Sequence, residues 1–275
     1  MPELPEVETI RRQLEREILG AVIRSADVRF AGRLNVSAAV FRRRLAGARI
    51  VSVGRRAKLL LVGLSNSWTL AIHLKMTGRL LLVAASAEPT KHVHVVFRLS
   101  GGRALFFEDV RKFGFIKVFA SGSLEKEVFA KEGYGLEPLA AGFTADKFAG
   151  CLGRFSGKRI KPALMDQTCV AGVGNIYADE ALWRARVRPD RRTGSLTVAE
   201  TRGLYRGMLD SLRGSIRRRG TSADDYLDIY GRPGTNARRL EAYGRDGQPC
   251  RRCGHKLVKV RLAGRGTHYC PHCQK

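Results

Sequence analysis

Four cysteines near the C-terminus form two close pairs, Cys250-x-x-Cys253 and Cys270-x-x-Cys273, with sixteen residues between them. Two pairs of soft thiolates joined by a ribbon-length spacer suit tetrahedral zinc. Gly254 after the first pair and Pro271 inside the second favour tight knuckle turns whose backbone N–H groups point at sulfur. Four cysteine ligands close the coordination shell, so one zinc ion held here is structural and not catalytic. The competing reading of the same residues is two disulfides or four unrelated thiols. A tail of about thirty residues is too short to fold well on its own core, and a metal would hold it together.

The opposite end of the chain offers a different chemistry. It begins Met1-Pro2-Glu3-Leu4-Pro5-Glu6, and a small second residue normally allows removal of the initiator Met, so the mature chain is expected to begin at Pro2. Its secondary α-amine would be more often neutral at pH 7 than a lysine side chain, the reference values being about 7.7–8.0 and about 10.4. Such an amine attacking an aldehyde carbon gives a charged iminium, an electron sink suited to elimination at the next carbon. Glu3 would then move protons beside it. The plainer alternative is that Pro2 merely opens the first helix.

Other candidates are weaker taken one at a time. Gly172-Val173-Gly174-Asn175 precedes a helix and offers backbone N–H groups to a phosphate, or serves packing and turn geometry only. His73-Leu74-Lys75-Met76, Lys91-His92 and Asp109-Val110-Arg111-Lys112-Phe113 fall on turns of a strand-rich region. A Met and a Phe among cations can wedge between base pairs; each can equally be a core residue. His92 and His94 alternate with Val93 and Val95, so one of them is expected to face solvent.

The elements that must position these groups divide the chain. Val7, Ile10, Leu14 and Ile18 recur at helical spacing, with Gly20 as a stop. From about residue 21 to 119, short β-rich segments at 48–53, 58–64, 69–74, 93–99, 104–107 and 114–119 are separated by Gly, Ser or Asn, with one helix at 38–45; this predicts a β-sandwich or barrel. Helices are predicted at 144–152, 175–186 and 197–219, the last opened by a Thr197–Glu200 capping box. Residues 220–236, rich in Gly, Pro, Asp and Thr, read as a mobile loop. The fold class is α+β.

Composition sets the partner. Lys and Arg number 50 against 25 Asp and Glu, a formal net charge of +25, and this favours a polyanion, most simply nucleic acid. No apolar run reaches the roughly eighteen residues of a membrane span. Glu3, Glu6 and Glu8 stand where a secretion signal needs cationic and apolar regions, so a cytoplasmic protein is expected, with Cys151 and Cys169 as reduced, buried thiols.

These segments together resemble the formamidopyrimidine-DNA glycosylase family of base-excision repair, essentially from end to end. The resemblance is strongest at residues 1–12 (MPELPEVETIRR), 54–60 (GRRAKLL), 73–78, 109–114, 164–180 (LMDQTCVAGVGNIYADE), 243–245 and 264–275. It implies a helix-plus-β-sandwich catalytic domain over 1–122 and a hinge over 123–143. A helix-two-turns-helix domain over 144–236, with a loop at 219–231 that closes over a lesion, and a zinc ribbon over 237–275 would follow. It implies Pro2 as the nucleophile that displaces a damaged base and forms a Schiff base with C1′, with Glu3 as proton donor and shuttle. Lys58 would assist β-elimination and touch phosphate, and Arg265 would grip phosphates and serve δ-elimination. Asn175 and His92 match backbone-binding positions, with Lys158 or Lys161 adding another phosphate contact. Met76, Arg111 and Phe113 match a trio that fills the gap left by the extruded base, Arg111 addressing the orphaned cytosine.

The implied substrate is duplex DNA containing oxidised purines, handled by a monomer that needs no membrane and no cofactor beyond one structural zinc. Two alternatives stand beside it: a related endonuclease-eight-like enzyme for oxidised pyrimidines, and a damage-binding zinc-ribbon protein without chemistry. Some positions depart from the family pattern. Lys75 stands for a usual Gly, Val110 for Pro, Val93 for Asp, and Arg219-Gly220-Thr221-Ser222 for Gly-Gly-Thr-Thr. None of them removes a catalytic group.

Overall fold

The computed structural model describes residues 1–223 and 225–275; Asp224, inside the loop expected to close over a lesion, lies outside them. The chain divides into two compact units, Met1–Lys131 with Arg218–Thr235, and Glu132–Arg217 with Asn236–Lys275.

In the first unit the opening helix α1 (Leu4–Ile18) buries Leu4, Val7, Ile10, Leu14 and Ile18, the spacing of one helical face. Strand β1 (Ile23–Val28) and helix α2 (Ala38–Leu45) follow, then β2 (Ile50–Arg56), β3 (Leu59–Leu64), β4 (Trp68–His73), β5 (Gly78–Ala84), β6 (Val93–Leu99), β7 (Arg103–Asp109) and β8 (Phe115–Ala120). They form two antiparallel sheets, ordered β1-β6-β7-β5 and β2-β3-β4-β8. Val95, Phe97, Leu105 and Phe107 from one sheet and Val62, Leu70, Ile72 and Ile116 from the other share a single core with α1 and Phe41 of α2. This is the expected sandwich.

Two of its strands do not show in the sequence pattern. β1 spends Arg24, Ser25 and Asp27 on largely exposed positions, and β5 has only Gly78 and Leu80 buried. Neither presents the apolar alternation of a half-buried strand.

Residues 218–235 return to the first unit, although the sequence pattern groups them with the helices. Between the bridge at Thr221 and the bridge at Thr235 their described residues form no helix or strand, as a loop is expected to, yet they pack into the first unit. Ile229, Asp228 and Tyr226 are buried, and Tyr226 and Ile229 join the sandwich core. Hydrogen bonds tie the segment to α1 along its length. The Thr221 N–H donates to Glu6 Oε1 at 2.8 Å, Gln13 Nε2 donates to Asp228 Oδ2 at 3.0 Å, and the Tyr230 hydroxyl donates to Glu17 Oε1 at 2.8 Å. Gly220 sits at φ +87°, where a Cβ would lie 2.8 Å from the Tyr226 ring and 3.1 Å from Glu6 Cγ, so only glycine fits this approach.

A π-helical turn (Glu125–Phe129) runs into α3 (Ala130–Glu132) at the end of the first unit's opening stretch. The second unit holds α4 (Ala145–Gly153), α5 (Ile160–Met165), α6 (Asn175–Ala185), α7 (Val198–Arg217) and the hairpin β9 (Val258–Leu262)–β10 (Arg265–Tyr269). The Thr197–Glu200 capping box forms in both directions, at 2.8 and 3.2 Å. Gly207 lets α7 close on α6, since a Cβ there would meet Arg184 Cβ at 2.9 Å. Cys151 and Cys169 are corrected from separate reduced thiols to a disulfide. The end of α4 lies beside the turn that follows α5, with the two Cα atoms 5.6 Å apart, a proximity that spacing along the chain does not reveal. No helix among the described residues is long and apolar enough to cross a membrane.

Candidate active site

Pro2 is buried ahead of α1, and Glu3 is the N-cap of that helix with 2% of its surface exposed. The two form a capping box with Glu6: the Glu3 carboxylate accepts from the Glu6 N–H, and the Glu3 N–H donates to Glu6 Oε2 at 2.9 Å. The proline–glutamate pair is thereby fixed on the helix end. Glu6 also carries the Thr221 contact, so one buried carboxylate links the N-terminus to the 218–235 segment.

Lys58 follows Ala57, which sits at φ +53° in the β2–β3 turn, and is itself 8% exposed. Arg55 clamps that turn. Its Nη1 donates to the Ala57 carbonyl at 2.7 Å, and its Nε meets Glu8 Oε2 of α1 at 3.1 Å, with both side chains less than a tenth exposed. The Glu8 carboxyl, pushed up by burial, is brought below its ordinary range by hydrogen bonds from Arg11 and Arg12 and the Arg55 charge. The Lys58 ammonium acts on His73 at the end of β4. Burial, then the charges of Lys75 and Lys58, pull His73 down to about 3, which leaves it neutral as the acceptor of the Lys75 N–H at 3.0 Å.

The three turns that carry the wedge candidates meet at Asp109. Its side chain is fully buried. Thr77 Oγ1, next to Met76, donates to Asp109 Oδ1 at 2.5 Å; the Arg111 N–H reaches the same oxygen at 3.3 Å, and the Gly114 N–H donates to Oδ2 at 2.7 Å. The Asp109 N–H donates to the His92 carbonyl at 2.9 Å, and His94 Nε2 donates to the Asp109 carbonyl at 2.7 Å. Met76, His92, Arg111 and Phe113 are therefore gathered on one rim of the sandwich. Met76 and Phe113 are each 43% exposed, and the Arg111 guanidinium lies 4.8 Å over the Phe113 ring. Neither apolar side chain counts among the buried core of the described residues.

His94, not His92, is the buried histidine. A bulge between Val93 and Val95 breaks the strict alternation and turns His94 inward. Lys75 occupies φ +52°, a left-handed backbone that glycine adopts most readily.

In the second unit Asn175 opens α6 after Gly174, and its Oδ1 is buried without a hydrogen-bond partner among the described residues. Gln167 shapes the glycine turn before it, accepting from the Gly172 N–H at 2.7 Å and donating to the Val173 carbonyl at 2.8 Å. Lys158 and Lys161 differ sharply in burial. Lys161 is 1% exposed, pairs with Asp179 at 2.7 Å, and donates to the Gly266 carbonyl and Thr267 Oγ1 of β10, both at 2.9 Å. The Lys158 side chain is 58% exposed, with Asp166 at 3.5 Å and the Phe155 ring 4.6 Å beneath its ammonium. Arg265 is exposed at the start of β10, beside a depression also lined by Pro162, Met165, Asp166 and Ala263.

Cys250, Cys253, Cys270 and Cys273 converge, their four sulfurs all within 4.8 Å of one another. Sγ of Cys250 lies 3.8 Å from that of Cys273, and Sγ of Cys253 lies 3.4 Å from that of Cys270. Sulfurs about 2.3 Å from a tetrahedral zinc are about 3.8 Å apart, so the residues fit one structural Zn²⁺. Burial pushes the Cys250 thiol up, but N–H groups of Arg252, Trp183 and Cys253 bring it down to about 6, while burial and the sulfurs of Cys270 and Cys250 push Cys273 up to about 12, so a bound cation would be what holds all four as thiolates. The ribbon is fixed to α6 through Asp179, which accepts from the His268 N–H at 2.9 Å, and through Glu180, which accepts from the N–H groups of Glu241, Ala242 and Tyr243.

Sequence patterns alone missed Asp109, Thr77 and the Glu8–Arg55 pair, all of which hold candidate residues in place. The one signal for Asp109 was an acidic residue two positions before Arg111 and five before Gly114, the composition of a side-chain-capped turn.

Comparisons with known proteins match these regions. The formamidopyrimidine-DNA glycosylase N-terminal domain matches residues 1–116, the formamidopyrimidine-DNA glycosylase H2TH domain residues 134–226, and a zinc finger found in FPG and IleRS residues 247–275. The formamidopyrimidine-DNA glycosylase of Pelotomaculum thermopropionicum is 45% identical over 100% of this chain and 99% of its own length; that of Herpetosiphon aurantiacus is 46% identical over 100% of both. Among solved structures, a Lactococcus lactis FPG mutant bound to DNA containing Fapy-dG superposes with a TM-score of 0.93 at 36% identity, covering 100% of both chains. The Lactococcus lactis Fpg complex with DNA containing an abasic site gives the same TM-score over 99% of each. With that identity maintained from end to end, the chain belongs to the formamidopyrimidine-DNA glycosylase family.

Proposed function

We propose that this chain is a bifunctional DNA glycosylase and AP lyase that removes oxidised purines, 8-oxoguanine and formamidopyrimidines, from duplex DNA and then cuts the strand. The observation that carries the reading is the buried Pro2–Glu3 pair locked to the end of α1 in a chain that matches glycosylases over its full length. Once Met1 is removed, the Pro2 nitrogen lone pair attacks sugar C1′ and the bond from C1′ to the damaged base breaks, the base leaving with a proton. Glu3 supplies a proton to the sugar ring oxygen as the ring opens, and the Pro2 nitrogen becomes the iminium. Loss of a C2′ proton then expels the 3′ phosphate, and a second elimination expels the 5′ phosphate, with Lys58 and Arg265 assisting these steps.

A base inside the duplex hides C1′, so it must be flipped out at a cost of a few kcal/mol. Met76 and Phe113, exposed on one rim with Arg111, fill the gap, Arg111 meeting the orphaned cytosine. His92, Lys158 and Asn175 take phosphates, which positions the site without reading sequence. Zinc holds the ribbon that presents Arg265 and enters no chemical step.

The test is trapping with sodium borohydride on an 8-oxoguanine·cytosine duplex. A covalent adduct mapped to Pro2, lost in Pro2→Gly and with turnover lost in Glu3→Gln, is the expected result. Adduct formation only with thymine glycol would assign oxidised pyrimidines instead, and no adduct with either, from zinc-loaded protein with an intact Pro2, would leave a binding protein.

A further inference from the structure

We infer that the outer face of α7 is a second phosphate-binding surface, one that takes the backbone of another DNA duplex while the site described above holds the first; this rests on the DNA-binding part of the proposed function. An α-helix turns about 100° and rises about 1.5 Å per residue. Arg202, Arg206, Arg213 and Arg217 therefore fall within an arc of about 60° along about 22 Å of α7. All four are exposed, while Leu204, Met208, Ser211, Leu212 and Ser215 are buried on the other side of the helix.

The ridge is uncompensated. Among the described residues none of the four guanidinium groups forms an ion pair; of the two acidic residues of α7, Glu200 is occupied by Arg191, and exposed Asp210, four residues after Arg206 and three before Arg213, pairs with neither and offsets at most one of the four charges. Exposed helices ordinarily set Glu and Lys four residues apart. Here Arg follows Arg at that spacing twice, an arrangement that repels itself and destabilises an isolated helix. A polyanion laid along the ridge reverses the sign of that interaction.

The chemistry favours phosphate over a protein partner. Guanidinium groups pair with phosphate through two parallel N–H···O bonds. A protein interface needs a buried aromatic or aliphatic anchor, and no large hydrophobic residue is exposed between Arg202 and Arg217. Backbone contacts of this kind carry no sequence information and bind any duplex. A chain that grips a second duplex before releasing the first can pass between distant segments while searching for rare lesions.

The experiment uses full-length, zinc-loaded protein. Its site is filled with a short uncleavable duplex carrying a tetrahydrofuran abasic analogue, and a fluorescent undamaged duplex is then titrated in. The wild-type complex is expected to take the second duplex with a Kd in the non-specific range of about 10⁻⁴–10⁻⁶ M. Raising salt from about 50 to about 200 mM should weaken it about 100-fold, as four phosphates at a slope of about 0.9 each require. The variant R202Q/R206Q/R213Q/R217Q keeps helix-compatible side chains. It should bind the first duplex within about two-fold of wild type and lose the second by at least about ten-fold at low salt.

A wild-type complex that takes no second duplex, or a variant that takes it equally well, overturns the inference. So does binding of a poly-glutamate peptide, lost in the variant, with no second duplex bound; that would assign the ridge to an acidic protein. A wild-type chain that binds neither duplex overturns the proposed function, and the ridge with it. Equal helical circular dichroism and zinc content in the two proteins exclude misfolding as the cause.

Discussion

Replacing Asp109 should loosen the whole rim that carries Met76, Arg111 and Phe113, although Asp109 itself is fully buried. Its carboxylate takes two short hydrogen bonds, from Thr77 Oγ1 at 2.5 Å and from the Gly114 N–H at 2.7 Å, and a longer one from the Arg111 N–H. A hydrogen bond to a charged group contributes about 1.5–3 kcal/mol. Counting the two short ones, Asp109→Ala should cost the first unit about 3–6 kcal/mol. Asp109→Asn keeps one acceptor oxygen but turns an NH₂ group toward the other donor, so about 2–3 kcal/mol is expected. Trp68 lies in the first unit and Trp183 in the second, so urea unfolding followed by Trp68 fluorescence in a Trp183→Phe background reads the right transition. Thr77→Val completes a double-mutant cycle, whose coupling should reach about 1–3 kcal/mol. Because misplacing catalytic or binding groups by about 1 Å can cost 10²-fold, single-turnover excision by Asp109→Asn should fall by about 10–100-fold. An Asn variant within about 0.5 kcal/mol of wild type that excises at the wild-type rate would refute the idea that Asp109 positions the rim.

Four further outcomes are expected. Lys161→Met breaks the buried pair with Asp179 and should destabilise the second unit by about 3–5 kcal/mol in urea, whereas exposed Lys158→Met should leave stability unchanged and weaken DNA binding. Cys253→Ser or chelation should release zinc and weaken DNA affinity together, checked by metal analysis and fluorescence anisotropy. Lys75→Gly relieves a left-handed backbone position, so stability should change by less than about 1 kcal/mol while the salt slope of DNA binding drops by about 0.9. Glu17 is held down to about 2 by the Tyr230 hydroxyl, then Arg103 and Arg16, against its ordinary 4.5; its contribution is complete above pH 4.5 and lost as pH falls toward 2, so hydrogen exchange of residues 226–232 should accelerate across that window.

Groups that act through spacing along the chain were legible from sequence. The four-cysteine ribbon, the apolar stripe of α1 and the Thr197–Glu200 box each declare themselves within a few residues, and each is found in the structure. Groups that act across the fold were not. Lys158 and Lys161 are alike as letters, and only the approach of Asp179 and β10 makes Lys161 an internal strut. β1 was hidden because an edge strand tolerates polar residues, and His94 because a one-residue bulge reverses which side chains face inward. The 218–235 segment has the composition of a loop, and its anchoring depends on Glu6, Gln13 and Glu17, some two hundred residues earlier.

That anchoring has a consequence for biosynthesis. Helix α1 leaves the ribosome well before the segment that completes its surroundings, which follows 215 residues later, as the separation of Glu6 from Thr221 shows. At about 5–20 residues per second, α1 waits on the order of 10–40 s for Thr221, Tyr226 and Ile229. Through that interval the nascent sandwich presents unfilled apolar surface where Ile229 will sit, and the second unit's helices are made before the first unit can close. A chain stalled before residue 235 should therefore be more readily proteolysed in its sandwich than the finished protein, with the vulnerability at the N-terminal helix and not at the truncated end.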